Sequence, residues 1–337
     1  MLLLSQDFGI TCDEPFHYQN GEDVVGYFAS FTKERAYHRG NLRYYGPLFD
    51  VLAYATEKLG VFSFPADAHH FINAIFGWIA VVFAGLIAAS IADVWAGILA
   101  MLLLFGCPAF LGQTMNNPKD IPFAALATAT LYFMIRLQKD PPHFSRENWR
   151  HLAVVAALAL LVRVGALLFL YEFLLLLMGV HWLSGKWSAR SALGHAKDWI
   201  VCLLTAIVIV TVFWPLAQEQ PLFGPFKAFH YFSRFKDFDG PTLFMGEYVR
   251  PSALPWNYLP VYLLAQTPEF ILAGLVIGVL LLLSKGRDSV FKQSLSIVLF
   301  FAFFPVFAAI VARASLYDGF RHFLFVYPAL VVVSALG

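Results

Sequence analysis

The chain has 337 residues, 59% of them hydrophobic and only 13% charged, a balance that excludes a water-soluble globular domain. Its formal net charge of +1, with no Lys/Arg run, excludes nucleic acid as a partner, because neutralising phosphates takes a basic face. The three cysteines, Cys12, Cys107 and Cys202, are odd in number and lack CxxC spacing, so neither a disulfide framework nor a zinc site is expected.

In chain order, the first feature is a polar segment, Gln6–Ala66, that holds most of the acidic residues. It opens on "GITCDEPFHY", where Asp13 and Glu14 precede Pro15. A proline opens a helix at its first turn, so both acids sit where a helix N-terminus keeps a carboxylate ionised and in place, as a general base requires. Two solvated acids on a loop is the plain alternative. Next come "PFHYQNGEDVVGYFASF" and "GPLFDVLAYATEKLG", whose apolar residues recur at helical spacing and predict amphipathic helices on a membrane surface. The basic, aromatic "RAYHRGNLRYYGP" joins them.

From His70 onward, apolar runs predict helices near 70–91, 96–112, 122–137, 199–214, 268–284, 294–312 and 322–337. Leu152–Trp182 would be about 45 Å long as one helix against a hydrocarbon core of about 30 Å, so two helices are expected, with the turn at Arg163 and Gly165. The fold class is therefore an all-α polytopic membrane protein. Residues 1–66 form a loop segment with amphipathic helices, and 67–337 form a bundle of about nine helices.

Lys/Arg residues separate the two faces. Lys139, Arg146 and Arg150, then Lys186, Arg190 and Lys197, then Lys285, Arg287 and Lys292 fall in loops on one side, which is expected to be cytoplasmic. The other side receives the Asp13 segment, "QTMNNPKDIP", the Arg163 turn, Pro215–Thr267 and "SLYDGFRH", so all candidate chemistry lies on one face.

Within "MNNPKDIPFA", Asp120 suits a helix cap, and Lys119 is either a lipid-phosphate ligand or a snorkelling cation. "YDGFRHFLFVYP" places Arg321 and His322 at the mouth of the last helix. Arginine suits phosphate because its planar fork donates two parallel hydrogen bonds, while an ion pair with Asp318 is the structural alternative. Arg163 is either a phosphate ligand or the partner of a carboxylate such as Glu172 or Glu219. "NYLPVYLLAQTPEF" holds two prolines around a stretch too short to span and predicts a re-entrant or surface helix, or a plain lead into the next span. His17, His38, His69 and His70 lack metal-ligand spacing, so no cofactor is expected, a divalent ion being the alternative. No phosphate-binding glycine loop is present, which argues against a cytosolic nucleotide as direct substrate.

The acidic pair, "YYGPLFD", "NNPKDIPFA", "YLPVYLLAQTP" and "YDGFRHFLFVYP", in this order over nearly the whole chain, resemble the GT-C membrane glycosyltransferases. The similarity is greatest to bacterial relatives of the dolichyl-phosphate-mannose protein mannosyltransferases, family 39. The resemblance implies inverting transfer of a sugar from a polyprenyl-phosphate donor to a protein, lipid or glycan acceptor on the non-cytoplasmic face of a bacterial inner membrane. It implies that Asp13 is the catalytic base with Glu14 beside it. On the matching face, Lys119, Arg163, Arg321 and His322 are expected to hold the donor phosphate, with the base standing across from these cations. Arg43, Tyr45, Asn117 and Asp120 are expected to support the site, Arg43 by holding Glu14. The family carries a membrane helix before the acidic pair and further helices after residue 337, so a fragment of a longer protein is expected. A polytopic transporter or a non-catalytic assembly protein is the competing class, and a transporter predicts inverted repeats that the sequence lacks.

Overall fold

The computed structural model describes residues 1–138, 146–169, 189–234 and 240–337, with the side chain of Arg146 and those of 189–195 outside the description. The chain is an all-α polytopic membrane fold, with one small hairpin among the described residues. Two surface helices, α1 (Glu14–Ala29) and α2 (Leu48–Lys58), lie before the first membrane-crossing helix, α3 (Pro65–Ile91). Pro15 and Pro65 sit in the first turns of α1 and α3, where the missing N–H costs nothing. α4 (Val94–Phe105) is capped by Asp93, whose carboxylate accepts from the amides of Trp95 and Ala96.

The run expected to be one helix over 96–112 is two. α4 and α5 (Pro108–Asn116) meet at 68°, because Pro108 forces Cys107 into an extended conformation and supplies no N–H to continue the ladder. α6 (Asp120–Gln138) and α7 (Arg146–Leu160) follow, and the chain turns at 161–165, as expected for Arg163 and Gly165. The second half of that run, 170–182, lies outside the described residues, as do Lys139, Glu172 and Lys186.

Beyond α8 (Ala189–Phe213) come two short helices, α9 (Pro215–Glu219) and α10 (Phe223–Ser233). A hairpin follows, β1 (Thr242–Phe244) pairing antiparallel with β2 (Glu247–Val249) in the register Leu243–Tyr248. Met245 and Gly246 both take positive φ between the strands, the geometry of a two-residue hairpin turn. No strand is expected here from the sequence pattern. α11 (Tyr258–Gln266) and α12 (Glu269–Leu280) meet at 113° around Pro268, so the "YLPVYLLAQTP" segment is a sharply bent entry to its neighbour. α13 (Ser289–Val311) and α14 (Val326–Leu336) complete the chain.

Four described helices, α3, α6, the Ala196–Phe213 part of α8, and α13, are each long and apolar enough to cross a membrane, or up to six spans if each bent pair counts as one. Small residues let them approach: a Cβ on Gly97 of α4 would sit 2.8 Å from the Gly85 carbonyl of α3, closer than any real contact. Every residue of α14 is buried, with α3, α4, α6, α12 and α13 packed around it.

Candidate active site

The start of α1 sets two acids into different surroundings. Glu14 is 1% exposed. One of its oxygens accepts from the Thr11 amide (2.6 Å) and hydroxyl (2.8 Å), the other from the Tyr18 hydroxyl (2.7 Å), and that second oxygen lies 2.7 Å from His70 Nε2. Burial alone would raise its carboxyl pKa, but the hydrogen bonds from His70, Thr11 and Tyr18 outweigh it and hold the group below the usual value. Arg43, expected to hold Glu14, instead donates to the Tyr44 hydroxyl at 3.0 Å, while its carbonyl accepts from Trp214. The holder of Glu14 is His70, whose other nitrogen reaches the Ser5 carbonyl at 3.2 Å and so fastens α1 and the N-terminal turn to α3.

Asp13, one residue earlier, faces the other way. Arg321 Nη2 donates to its Oδ2 at 2.7 Å, and Lys119 Nζ lies 3.9 Å from the same atom. Burial would raise this carboxyl too, but the charges of Lys119 and Arg321 keep it below the ordinary 3.8. The base candidate therefore touches the cations that the sequence reading had placed across from it.

Asp120 is the hub of the cluster and is 3% exposed. Arg163 donates to one of its oxygens, while Arg321 Nε (3.1 Å) and Asn117 Nδ2 (3.0 Å) donate to the other. Of the residues around the start of α6 that suit a cap by sequence, Asn117 and Asp120 among them, Asn117 makes the bond: its Oδ1 accepts from the Asp120 amide at 3.0 Å. With the cap supplied three residues upstream, the Asp120 carboxylate is free to turn inward. Arg163 pairs with Asp120, while Glu219 belongs to Arg35 and His38, which follow the C-terminal end of α1. The ion pair of Arg321 with Asp318, at 3.1 Å, is present as the sequence suggested. Lys119 Nζ also sits 4.8 Å from the centre of the Tyr45 ring. Burial pushes the His322 pKa down to about 3, so it stands as a neutral ring rather than a further cation.

Against this cluster lies a cavity of about 360 Å³. Tyr45, Arg163, Ser233, Ser315, Tyr317 and His322 give it polar wall groups, and the rest is apolar, with Phe123 and Phe169 stacked at 5.3 Å. A ring-lined groove with the Arg163 guanidinium at its wall, in the same ion-paired cluster as Lys119 and Arg321, suits an amphiphile with an anionic head and a hydrocarbon tail. Among the described residues, no three His, Cys, Asp or Glu side chains converge as a metal site would require. The structure thus gathers Asp13, Lys119, Asn117, Asp120, Arg163, Arg321 and His322 around one site, with Tyr45 at its wall and Glu14 behind it. Arg43 contacts Tyr44 and Trp214. His70 escaped the sequence reading because its spacing was weighed only for metal ligation, and a partner 56 residues away leaves no local signal.

Residues 49–215 match the family model described as dolichyl-phosphate-mannose-protein mannosyltransferase. The fold is similar to that of ArnT from Cupriavidus metallidurans in the apo state, with a TM-score of 0.65 at 14% identity over 95% of this chain and 54% of that one. It is similar to ArnT from the same organism bound to undecaprenyl phosphate, with a TM-score of 0.63 at 15% identity over 95% and 54%. It is also similar to the oligosaccharyltransferase of Archaeoglobus fulgidus in the apo form, with a TM-score of 0.56 at 14% identity over 95% and 46%. The chain spans about half the length of these solved structures. No curated protein matches its sequence.

Proposed function

From the mannosyltransferase family-model match over residues 49–215 and the likeness in fold to ArnT, we propose that this chain is a GT-C membrane protein of the family 39 type and carries the active site of an inverting glycosyltransferase that moves a sugar from a polyprenyl-phosphate donor to an acceptor hydroxyl on the non-cytoplasmic face. The observation that supports this most is the adjacency of three things: a partly exposed carboxylate at a helix start, three cations, and a ring-lined apolar cavity. A base, an anion site and a lipid groove are the parts that the reaction needs, and here they share side chains. One neighbour in fold was solved with undecaprenyl phosphate, and that class of lipid is the donor proposed here.

In the proposed step, Asp13 takes the proton of the acceptor hydroxyl as its oxygen bonds to the anomeric carbon. The bond from that carbon to the phosphate oxygen breaks on the opposite side, and its electron pair leaves with the polyprenyl phosphate. Negative charge grows on that phosphate in the transition state, where Arg321, Lys119 and Arg163 offset it. One carboxylate suffices for inversion, whereas retention would call for a second about 5 Å away on the same sugar, and Glu14 is turned into the protein. Neutral His322 adds a hydrogen-bond donor without adding charge.

The test uses the full-length gene in a deletion strain, with mass spectrometry of lipid-linked sugars and of cell glycans. Deletion should build up a sugar-charged polyprenyl phosphate and remove one glycan modification. Unchanged lipid and glycan profiles would set the reading aside.

A further inference from the structure

Arg321 has three hydrogen-bonding edges, and each faces a different carboxylate. Nε donates to Asp120 at 3.1 Å, Nη1 to Asp318 at 3.1 Å and Nη2 to Asp13 at 2.7 Å. A guanidinium grips phosphate by presenting two parallel N–H groups, and with all three Arg321 nitrogens already engaged a phosphate must compete with a carboxylate for that grip. Charge points the same way. Among the described residues, the ion-paired cluster holds three cations, Lys119, Arg163 and Arg321, against three carboxylates, Asp13, Asp120 and Asp318. The cluster is balanced before any anion arrives, and an incoming phosphate meets no surplus of positive charge.

The three carboxylates are not equally held. Asp120 is buried and has Arg163 and Asn117 as further donors, so it stays. Asp318 lies three residues before Arg321 in the same turn, at φ +55°, and moves with it. Asp13 belongs to another element, its side chain is 35% exposed, and α1 takes no capping hydrogen bond from it. Asp318 is more exposed, at 54%, but is tethered three residues from Arg321, whereas Asp13 can move with its own element and leave the Arg321 turn as it is.

We infer that the donor phosphate displaces Asp13 from Arg321, so that the base is masked in the empty site and is released only when the donor is bound. Donor binding then precedes deprotonation of the acceptor. The inference rests on the donor reading above and adds to it an order of events. In the exchange, the Arg321 Nη2–H bond passes from Asp13 to a phosphate oxygen. The freed carboxylate keeps Lys119 but loses Arg321, one of the two cations that hold its proton affinity low, and becomes a better base at the moment it is needed.

The experiment measures binding of a sugar-free polyprenyl phosphate to the full chain in nanodiscs, comparing wild type with Asp13→Asn and Asp13→Ser. Both replacements suit a helix start, so either one serves if the other fails to fold. Removal of the competing carboxylate should tighten binding by about fivefold, the scale of a partly exposed ion pair. Asp318→Asn, which removes the same charge from the same guanidinium without vacating the proposed path, should gain less. Equal or weaker binding by folded Asp13 variants would overturn the inference, and so would an equal gain in Asp318→Asn, which would assign the effect to bulk charge. If none of the proteins binds the lipid phosphate, wild type included, the donor reading falls instead.

Discussion

Asp13 and Glu14 are neighbours in sequence with opposite fates, and substitutions should separate them. Asp13→Asn keeps size and helix-start geometry but removes the proton acceptor, so turnover in the full-length protein should fall by about 10² to 10⁴ with folding intact. A folded Asp13→Asn protein with full turnover would remove the base assignment. Glu14→Ala leaves Thr11, Tyr18 and His70 facing a void, at a cost of about 3 kcal/mol, read as a lower unfolding temperature. Glu14→Gln should be milder, because the amide can turn its NH2 toward Tyr18 and His70. The pH profile separates free and bound states. In the free protein Asp13 titrates below 3.8, so it remains ionised as pH falls to that value and kcat/KM stays level. Once the donor occupies Arg321 the carboxyl titrates higher, so kcat should decline at a higher pH than kcat/KM does, and superimposable profiles would contradict this. At this scale the sequence made Asp13 and the Arg321–Asp318 pair legible, because an acidic pair before proline and a three-residue spacing are local patterns. The Arg163–Asp120 pair spans 43 residues and leaves no such trace.

At the scale of elements, the site depends on how closely the loop before α2 approaches the turn after α7. Gly46 lies against the backbone of Leu161 with no room for a Cβ, and the Leu48 amide donates to the Leu161 carbonyl at 2.9 Å. That contact sets Tyr45 and Arg163 beside each other on the cavity wall. Gly46→Ala should therefore lower both stability and lipid-phosphate affinity, whereas Gly112→Ala, whose Cβ meets nothing within 4 Å, should change neither. Thermal unfolding and lipid binding, measured together, check this. The long helices were legible from apolar runs, since bilayer thickness fixes their length. The break at Cys107 was written in Pro108 but hidden by the continuous hydrophobicity around it. The hairpin was hidden for another reason: its strands are three residues each, too short for alternation to stand out.

For the whole molecule, the distribution of Lys and Arg predicts the side on which the site opens. Cys12 is exposed next to Asp13, while Cys107 and Cys202 are buried, so the native protein carries its own reporter. A membrane-impermeant maleimide should label Cys12 in intact cells, and labelling only after lysis would invert the orientation. The segment 1–66 lies against the bundle rather than apart from it, tied by His70 to Glu14 and by Glu219 to Arg35 and His38.

The position of α14 has a consequence for synthesis. The helix that the others surround is made after all of them: its first residue, Val326, follows the start of α3 at Pro65 by 261 positions. At ordinary translation speeds that interval is on the order of ten to fifty seconds. Over it, the faces of α3 and α4, joined late by those of α12 and α13, are in the membrane without their central partner. Lipid or an insertion chaperone must occupy that seam meanwhile, and Gly274 and Gly278 of α12, which lie against Ser334 and Val333, would close it only at the end.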